Sequence, residues 1–229
     1  MTTILITGAN RGLGLELCKQ ALNKGWKVLA VCRQPHAANE LQKLAASSNL
    51  TVYGCEVSQA QDIQKLQQQL DGVPIDILFN NAGVYGPSNY AWQSIDAKAW
   101  LDVFAVNTIS PLQVSAALMP NLKLGRLKII ANMSSLMGSI ADNAQGGSYI
   151  YRSSKAALNA VTKSLSIDLA KDGMTVVAIH PGWVQTDMGG QAAPLKPQDS
   201  IAGIMKILNR LNVSESGKFF NYDGKEIAW

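Results

Sequence analysis

Short apolar runs alternate with longer helical patterns along the whole chain, and few folds accommodate that order. The runs at 3–7, 27–32, 51–54, 75–80, 127–133, 175–180 and 217–220 read as strands. Between them, 12–24, 36–47, 59–71, 96–119, 148–172 and 199–211 read as helices. Strands separated by helices of about ten residues or more need crossover connections, which build a parallel sheet. Segments such as Ile75-Asp76-Ile77-Leu78-Phe79 and Thr175-Val176-Val177-Ala178-Ile179 are apolar on both faces, as a sheet covered on two sides requires. The helices carry the complementary stripe: Ile201, Ile204, Met205, Leu208 and Leu211 recur at helical spacing.

No Pro/Gly/Ser linker or shift in composition divides the 229 residues. The expected architecture is therefore one α/β domain over 1–229, a doubly wound, seven-stranded and mostly parallel sheet with helices on both faces. With 47% hydrophobic and 16% charged residues, against about 25% charged in an ordinary soluble domain, the chain is not disordered. Its 20 basic and 16 acidic residues are interspersed, so a net charge of +4 does not point to nucleic acid. No apolar run approaches the ~18 residues needed to span a bilayer, and the start Met1-Thr2-Thr3-Ile4 lacks the basic and apolar regions of a signal peptide. The expectation is a soluble cytoplasmic protein without a membrane partner. Cys18, Cys32 and Cys55 lie in apolar periodic segments without CxxC spacing, which fits reduced, buried thiols. With only His36 and His180 besides, no metal site is expected.

The first strand-to-helix junction reads Thr7-Gly8-Ala9-Asn10-Arg11-Gly12-Leu13-Gly14. Glycines there let the backbone turn tightly against a pyrophosphate, while the free N–H groups and positive end of the helix dipole face the anion. This is the arrangement of a Rossmann dinucleotide site, with the strand-turn-helix context that such a turn needs. An acid at the end of the second strand reads the ribose in NAD-preferring proteins, but here the strand runs into Arg33. Arg33 and Arg11 are each common as surface charges; together, flanking the expected ribose pocket, they favour a 2′-phosphate and hence NADP(H).

After the fourth strand comes Asn80-Asn81-Ala82-Gly83, at the edge where parallel strands deliver loops to a ligand crevice. Tyr151 and Lys155 stand at i and i+4 on a helical segment, so their side chains share one face about 5–6 Å apart at Cβ. An isolated YxxxK also fits a half-buried Tyr above a solvated Lys. The whole set, however, resembles the short-chain dehydrogenase/reductase family, in which a TGxxxGxG turn, an NNAG loop, a single Asn, a Ser and YxxxK follow in this order. Here they stand at Thr7 to Gly14, Asn80 to Gly83, Asn107, Ser135 and Tyr151/Lys155, with Pro181-Gly182 after the sixth strand. Met133-Ser134-Ser135-Leu136-Met137-Gly138-Ser139-Ile140, Gly146-Gly147-Ser148-Tyr149, His180-Pro181-Gly182-Trp183-Val184-Gln185-Thr186-Asp187-Met188-Gly189-Gly190 and the Asn221-Tyr222-Asp223-Gly224 ending look like the Sniffer/C-factor branch of carbonyl reductases.

The resemblance implies hydride transfer between NADP(H) and a small aldehyde, ketone or quinone, with Tyr151 as general acid/base. Lys155 is expected to favour the phenolate and to bond the nicotinamide ribose, and Ser135 to donate to the carbonyl oxygen. Asn107 is expected to hold a water that links Lys155 to solvent. Gly8, Asn10, Arg11, Gly12, Leu13, Gly14, Arg33, Glu56, Val57, Asn81, Ala82, Gly83, Tyr151, Lys155, Pro181, Gly182, Val184 and Thr186 are the implied cofactor contacts. Two departures stand out: Ser135 and Tyr151 are 16 residues apart, which leaves Ser134 or Ser139 as alternatives, and Glu56-Val57 replaces the commoner Asp-Val. Residues 185–197 read as a lid, and Tyr85, Tyr90, Trp92 and Trp183 as candidate pocket walls. Family members usually pair through the helices carrying Asn107 and Tyr151, implying a homodimer or homotetramer. A cofactor-binding signalling protein with little turnover is the alternative function.

Overall fold

The structure, a computed structural model, describes residues 1–45, 49–87 and 91–229. Seven strands form one sheet: β1 (Thr3–Thr7), β2 (Lys27–Cys32), β3 (Leu50–Gly54), β4 (Ile77–Asn80), β5 (Ile129–Met133), β6 (Thr175–His180) and β7 (Phe219–Asn221). Their order is β3-β2-β1-β4-β5-β6-β7, with every adjacent pair parallel. The order reverses direction between β1 and β4, so the loops leaving these two strands part and open a crevice at their C-terminal ends.

Alternation along the strands assigns the core. Ile4, Ile6, Val28, Ala30, Ile77 and Phe79 face the helices α1 (Gly12–Asn23) and α8 (Pro197–Arg210), meeting Leu17, Cys18, Ile201, Ile204, Met205 and Leu208. Leu5, Leu29, Val31, Leu78, Ile130 and Val176 point the other way, onto Ile63 and Leu66 of α3 (Ala60–Gln69) and Val114 of α5 (Ser110–Ala117). The three thiols are free and buried. Burial pushes Cys18 up to about 12 and Cys55 to about 11, so both stay protonated at neutral pH.

Three expected helices differ. The stretch 36–47 is a 3-10 turn, Pro35–Ala37, followed by the short α2 (Asn39–Leu44), because Ala38 at φ −89° and ψ 62° interrupts the helical backbone; residues 46–48 lie outside the described residues. The stretch 96–119 is α4 (Ala97–Phe104), a π turn at Ala105–Ile109 and then α5, with α6 (Met119–Leu124) after it. Pro111 explains the break: it has no N–H to return to the carbonyl of Asn107, four residues back, and its ring crowds that carbonyl. The last is α7 (Tyr149–Asp168), shorter than 148–172 and followed by a separate 3-10 turn at Ala170–Asp172. Among the described residues, no helix is long and apolar enough to cross a membrane, and no group of three or more His, Cys, Asp or Glu could hold a metal.

Candidate active site

At the crevice the glycine turn is shaped by its neighbours. Gly8 has φ +64°, and a Cβ there would stand 2.9 Å from the Ala82 Cα; one on Gly14 would stand 2.3 Å from the Gly8 carbonyl oxygen. The Asn80-Asn81-Ala82-Gly83 loop braces this turn from below. Asn81 and Ala82 both donate backbone N–H to Thr7 Oγ1 at 3.0 Å, and the Asn81 amide donates to the carbonyls of Thr7 and Gly8. Asn81 thus contributes by holding the turn's shape. The adjacent Asn80 is a core residue, its amide donating to Asn132 Oδ1 at 2.9 Å.

The first turn of α1 has no acidic residue, and Arg11 at its N-cap makes no side-chain cap. Its free N–H groups and dipole therefore form a cradle for an anion. Leu13 packs into the core below, and Asn10 is exposed. Thr186, from the loop after β6, comes within 3.7 Å of where a Gly12 Cβ would be. Arg11 Nη1 reaches across the same gap to Asp187 Oδ2 at 3.2 Å. Beyond β2, Arg33 Nε lies 3.6 Å from Glu56 Oε2, while Glu56 Oε1 accepts from Ser58; Val57 is buried.

The loop after β6 is knitted to itself. Val184 bridges to Leu195, Gln185 donates its N–H to the Leu195 carbonyl, and Gln185 Nε2 donates to the Ala193 carbonyl. The stretch 185–197 is thus an internally bonded turn, in place of an unanchored flap. Pro181 accepts from Ser200 Oγ at 2.6 Å, and Gly182 at φ +84° leaves no room for a Cβ beside Leu195 and Tyr222.

At the other end of the crevice four side chains converge from three elements. Asn107, fully buried in the π turn, accepts from the Val84 N–H at 2.9 Å and donates to the Val84 carbonyl at 2.8 Å and to Ser154 Oγ at 3.0 Å. Gly83 lies between it and Lys155: a Cβ there would meet Asn107 Oδ1 at 3.4 Å and Lys155 Nζ at 3.6 Å. Lys155 is 4% exposed and donates to the Met133 carbonyl at 2.8 Å. Its ammonium also lies 5.8 Å from the centroid of the Tyr151 ring.

Ser135 stands beside Tyr151, whereas both alternatives are engaged elsewhere: Ser134 Oγ donates to Asn159 Oδ1 and Ser139 Oγ to the Ala228 carbonyl. The 16-residue segment that follows Ser135 is held at several points. Arg152 donates to the carbonyls of Met137 and Gly146, Asn159 to that of Gly138, and the Ala141 N–H to the Trp229 carbonyl. Apart from the Arg152–Gly146 contact, none of these braces shows in a local motif, since each joins residues far apart in sequence.

One electrostatic expectation is reversed. Burial pushes the Tyr151 phenol up to about 12, the Ser135 hydroxyl partly offsets this, and Tyr85 adds to it. Lys155 does not counter the rise, because its ammonium sits on the Met133 carbonyl and burial pushes its own value down to about 8. Among the aromatics expected as walls, Tyr85 is stacked on Tyr151, Trp92 and Trp183 are 68% and 58% exposed, and Tyr90 lies outside the described residues.

Known proteins resemble the chain in sequence and in fold. The C-signal of Myxococcus xanthus is 45% identical over 159 residues, covering 68% of this chain and 93% of that protein. The carbonyl reductase Sniffer of D. melanogaster superposes with a TM-score of 0.95 at 39% identity, covering all of both chains. An NADPH-bound carbonyl reductase from chicken fatty liver superposes at 0.93 with 36% identity, covering 100% of this chain and 99% of that one. The short chain dehydrogenase family model matches residues 2–196, and the chain belongs to that family of oxidoreductases.

Proposed function

We propose that the chain is an NADP(H)-dependent carbonyl reductase that converts a small aldehyde, ketone or quinone to its alcohol. The observation that carries this reading is Tyr151, a buried and protonated phenol one helical turn from a buried lysine. The glycine turn fits a dinucleotide: Gly8 and Gly14 pack too closely on backbone for a Cβ and so keep the turn tight, Gly12 leaves its outer side open, and the uncapped first turn of α1 offers N–H groups to a pyrophosphate. Arg33 and Arg11 support the phosphorylated form, because exposed ion pairs such as theirs contribute only about 0–1 kcal/mol and yield readily to a phosphate dianion.

When bound, the dihydronicotinamide supplies a hydride to the carbonyl carbon. Tyr151 gives its proton to the carbonyl oxygen as negative charge grows there, and Ser135 donates a hydrogen bond to the same oxygen. A phenol held near 12 is fully protonated at neutral pH, which suits the reductive direction. Lys155, titrating near 8, can pass a proton back toward Tyr151. The Asn107 carbonyl, left without an α-helical partner by Pro111, is suited to hold a water on that route. Exposed Leu101 and Ile109 near this turn, and Ile167 on α7, support pairing of two copies through those helices.

The likeness to the C-signal carries a second reading, a signalling protein that binds the cofactor with little turnover. The buried phenol of Tyr151 weighs against it, because a protein that only holds the cofactor needs no proton donor one helical turn from Lys155. NADPH consumption with a panel of aldehydes, ketones and quinones separates the two. Turnover that disappears in Tyr151→Phe supports the reductase; no turnover with any carbonyl, or full activity in Tyr151→Phe, overturns it.

A further inference from the structure

Tyr85 occupies a more constrained position than a pocket wall needs. Its ring stacks on that of Tyr151, centroid to centroid 4.5 Å with 25° between planes. Its hydroxyl lies 3.1 Å from the Ser148 hydroxyl. Ser148 is the residue from which α7 starts, and it holds a left-handed backbone, φ 46° and ψ 40°, that side-chain-bearing residues adopt at a cost. Tyr85 is itself fixed from both sides. Asn107 grips the N–H and the carbonyl of Val84 before it. After it, Gly86 turns at φ +77° so close to Val103 of α4 that a Cβ would stand 2.6 Å from Val103 Cγ2.

A rigid path therefore runs from the buried π turn through Val84 and Tyr85 to the ring of Tyr151 and the start of the helix that carries it. From this we infer that Tyr85 is a positioning residue for Tyr151: its ring fixes the orientation of that phenol and shields one face from water, while its hydroxyl steadies the first turn of α7. The activity part of this inference rests on the role given to Tyr151 above; the structural part does not. The titratable groups facing the Tyr151 ring are Tyr85 from the loop after β4 and Lys155 from α7 itself, with the Ser135 hydroxyl alongside. Arg152 is turned away onto loop carbonyls. Removing the Tyr85 ring rehydrates the phenol and takes away a raising neighbour, so ionisation moves to lower pH.

The test uses protein labelled with 13C at tyrosine Cζ and without cofactor, the Tyr151 signal being assigned by its loss in Tyr151→Phe. In the wild type that signal stays at its protonated position up to roughly pH 11, above the ~10 of a free phenol. In Tyr85→Leu, which keeps apolar bulk but loses the stack, ionisation begins about one pH unit lower. Tyr85→Phe keeps the stack but loses the Ser148 contact and the raising neighbour, so its Tyr151 ionisation falls between those of the wild type and Tyr85→Leu. In turnover, Tyr85→Leu lowers kcat about tenfold and leaves the KM for NADPH within about twofold, the mark of a misaligned acid rather than a lost binding site. An unchanged Tyr151 titration in folded Tyr85→Leu, or a Tyr85→Phe that behaves like Tyr85→Leu, overturns the inference. If the wild type turns over no carbonyl, the reductase reading fails while the titration still decides this one.

Discussion

Arg11 and Arg33, at one end of the crevice, are 66% and 68% exposed and each faces a single carboxylate. Lys155, at the other end, is 4% exposed and donates to one carbonyl. Water screens the arginines, so they hold full charge at little cost and can exchange one anionic partner for another. Lys155 has lost most of that solvation, and its affinity for a proton has fallen toward the physiological range. In the proposed reductase the same formal charge would thus serve recognition where it is wet and proton movement where it is dry.

Replacing side chains at the two ends should separate these roles. The largest effect is expected at the dry end: Tyr151→Phe keeps the ring but removes the proton, and kcat should fall by about a thousandfold, within the ~10²–10⁴ typical of general acid catalysis. Tight NADPH binding, read by nicotinamide fluorescence, should survive; its loss would mean that Tyr151 serves the fold or the cofactor instead.

Lys155→Met should abolish turnover yet stabilise the protein. The folded-state value near 8 lies below the usual 10.5, so the unfolded chain binds more protons between these values. Wild-type stability should therefore rise as pH increases from about 8 to 10.5, and the deficit below that window is about 3 kcal/mol. Melting curves across this range should show the rise in the wild type, and Lys155→Met should melt higher at neutral pH without it. A variant less stable than the wild type at neutral pH would show that the Met133 contact outweighs desolvation.

Gly14→Ala tests the wet end through its backbone. A Cβ 2.3 Å from the Gly8 carbonyl oxygen forces the turn apart, which should cost about 1–3 kcal/mol of stability in denaturant melts and weaken cofactor binding. Unchanged affinity would remove the glycine turn from the site. The mildest change is Arg33→Ala, expected to weaken NADPH by about tenfold through a lost charge-assisted contact and NADH hardly at all. Its melting point should stay near that of the wild type. Equal wild-type affinities for the two cofactors would reject the 2′-phosphate reading.

Much of this is legible in the sequence, for a physical reason. Strand-helix alternation, the glycine turn and YxxxK all depend on residue types at fixed local spacing, and local spacing is what a sequence displays. The seven strands followed from it, whereas Asn107 and Ser135 joined Tyr151 and Lys155 only through the resemblance to the family; the structure brings the four together. The π turn could have been read from Pro111, four residues after Asn107. The Tyr85 stack, the Asn159 brace and the Ala228 contact could not, since they join residues brought together only by the fold. The direction of the Tyr151 shift is hidden for a related reason: an i,i+4 lysine suggests a nearby charge, but only the structure shows that its ammonium is on Met133 and that the phenol is buried under Tyr85.

The claim that Tyr151 completes a hydride transfer is tested most directly by following the hydrogen atoms. With NADPH carrying deuterium at both C4 positions and the best aldehyde or ketone of the panel, mass spectrometry of the alcohol should find one deuterium on the carbinol carbon for the wild type and about a thousandfold less labelled product for Tyr151→Phe. An alcohol formed without deuterium, or labelled equally by Tyr151→Phe, would contradict the account.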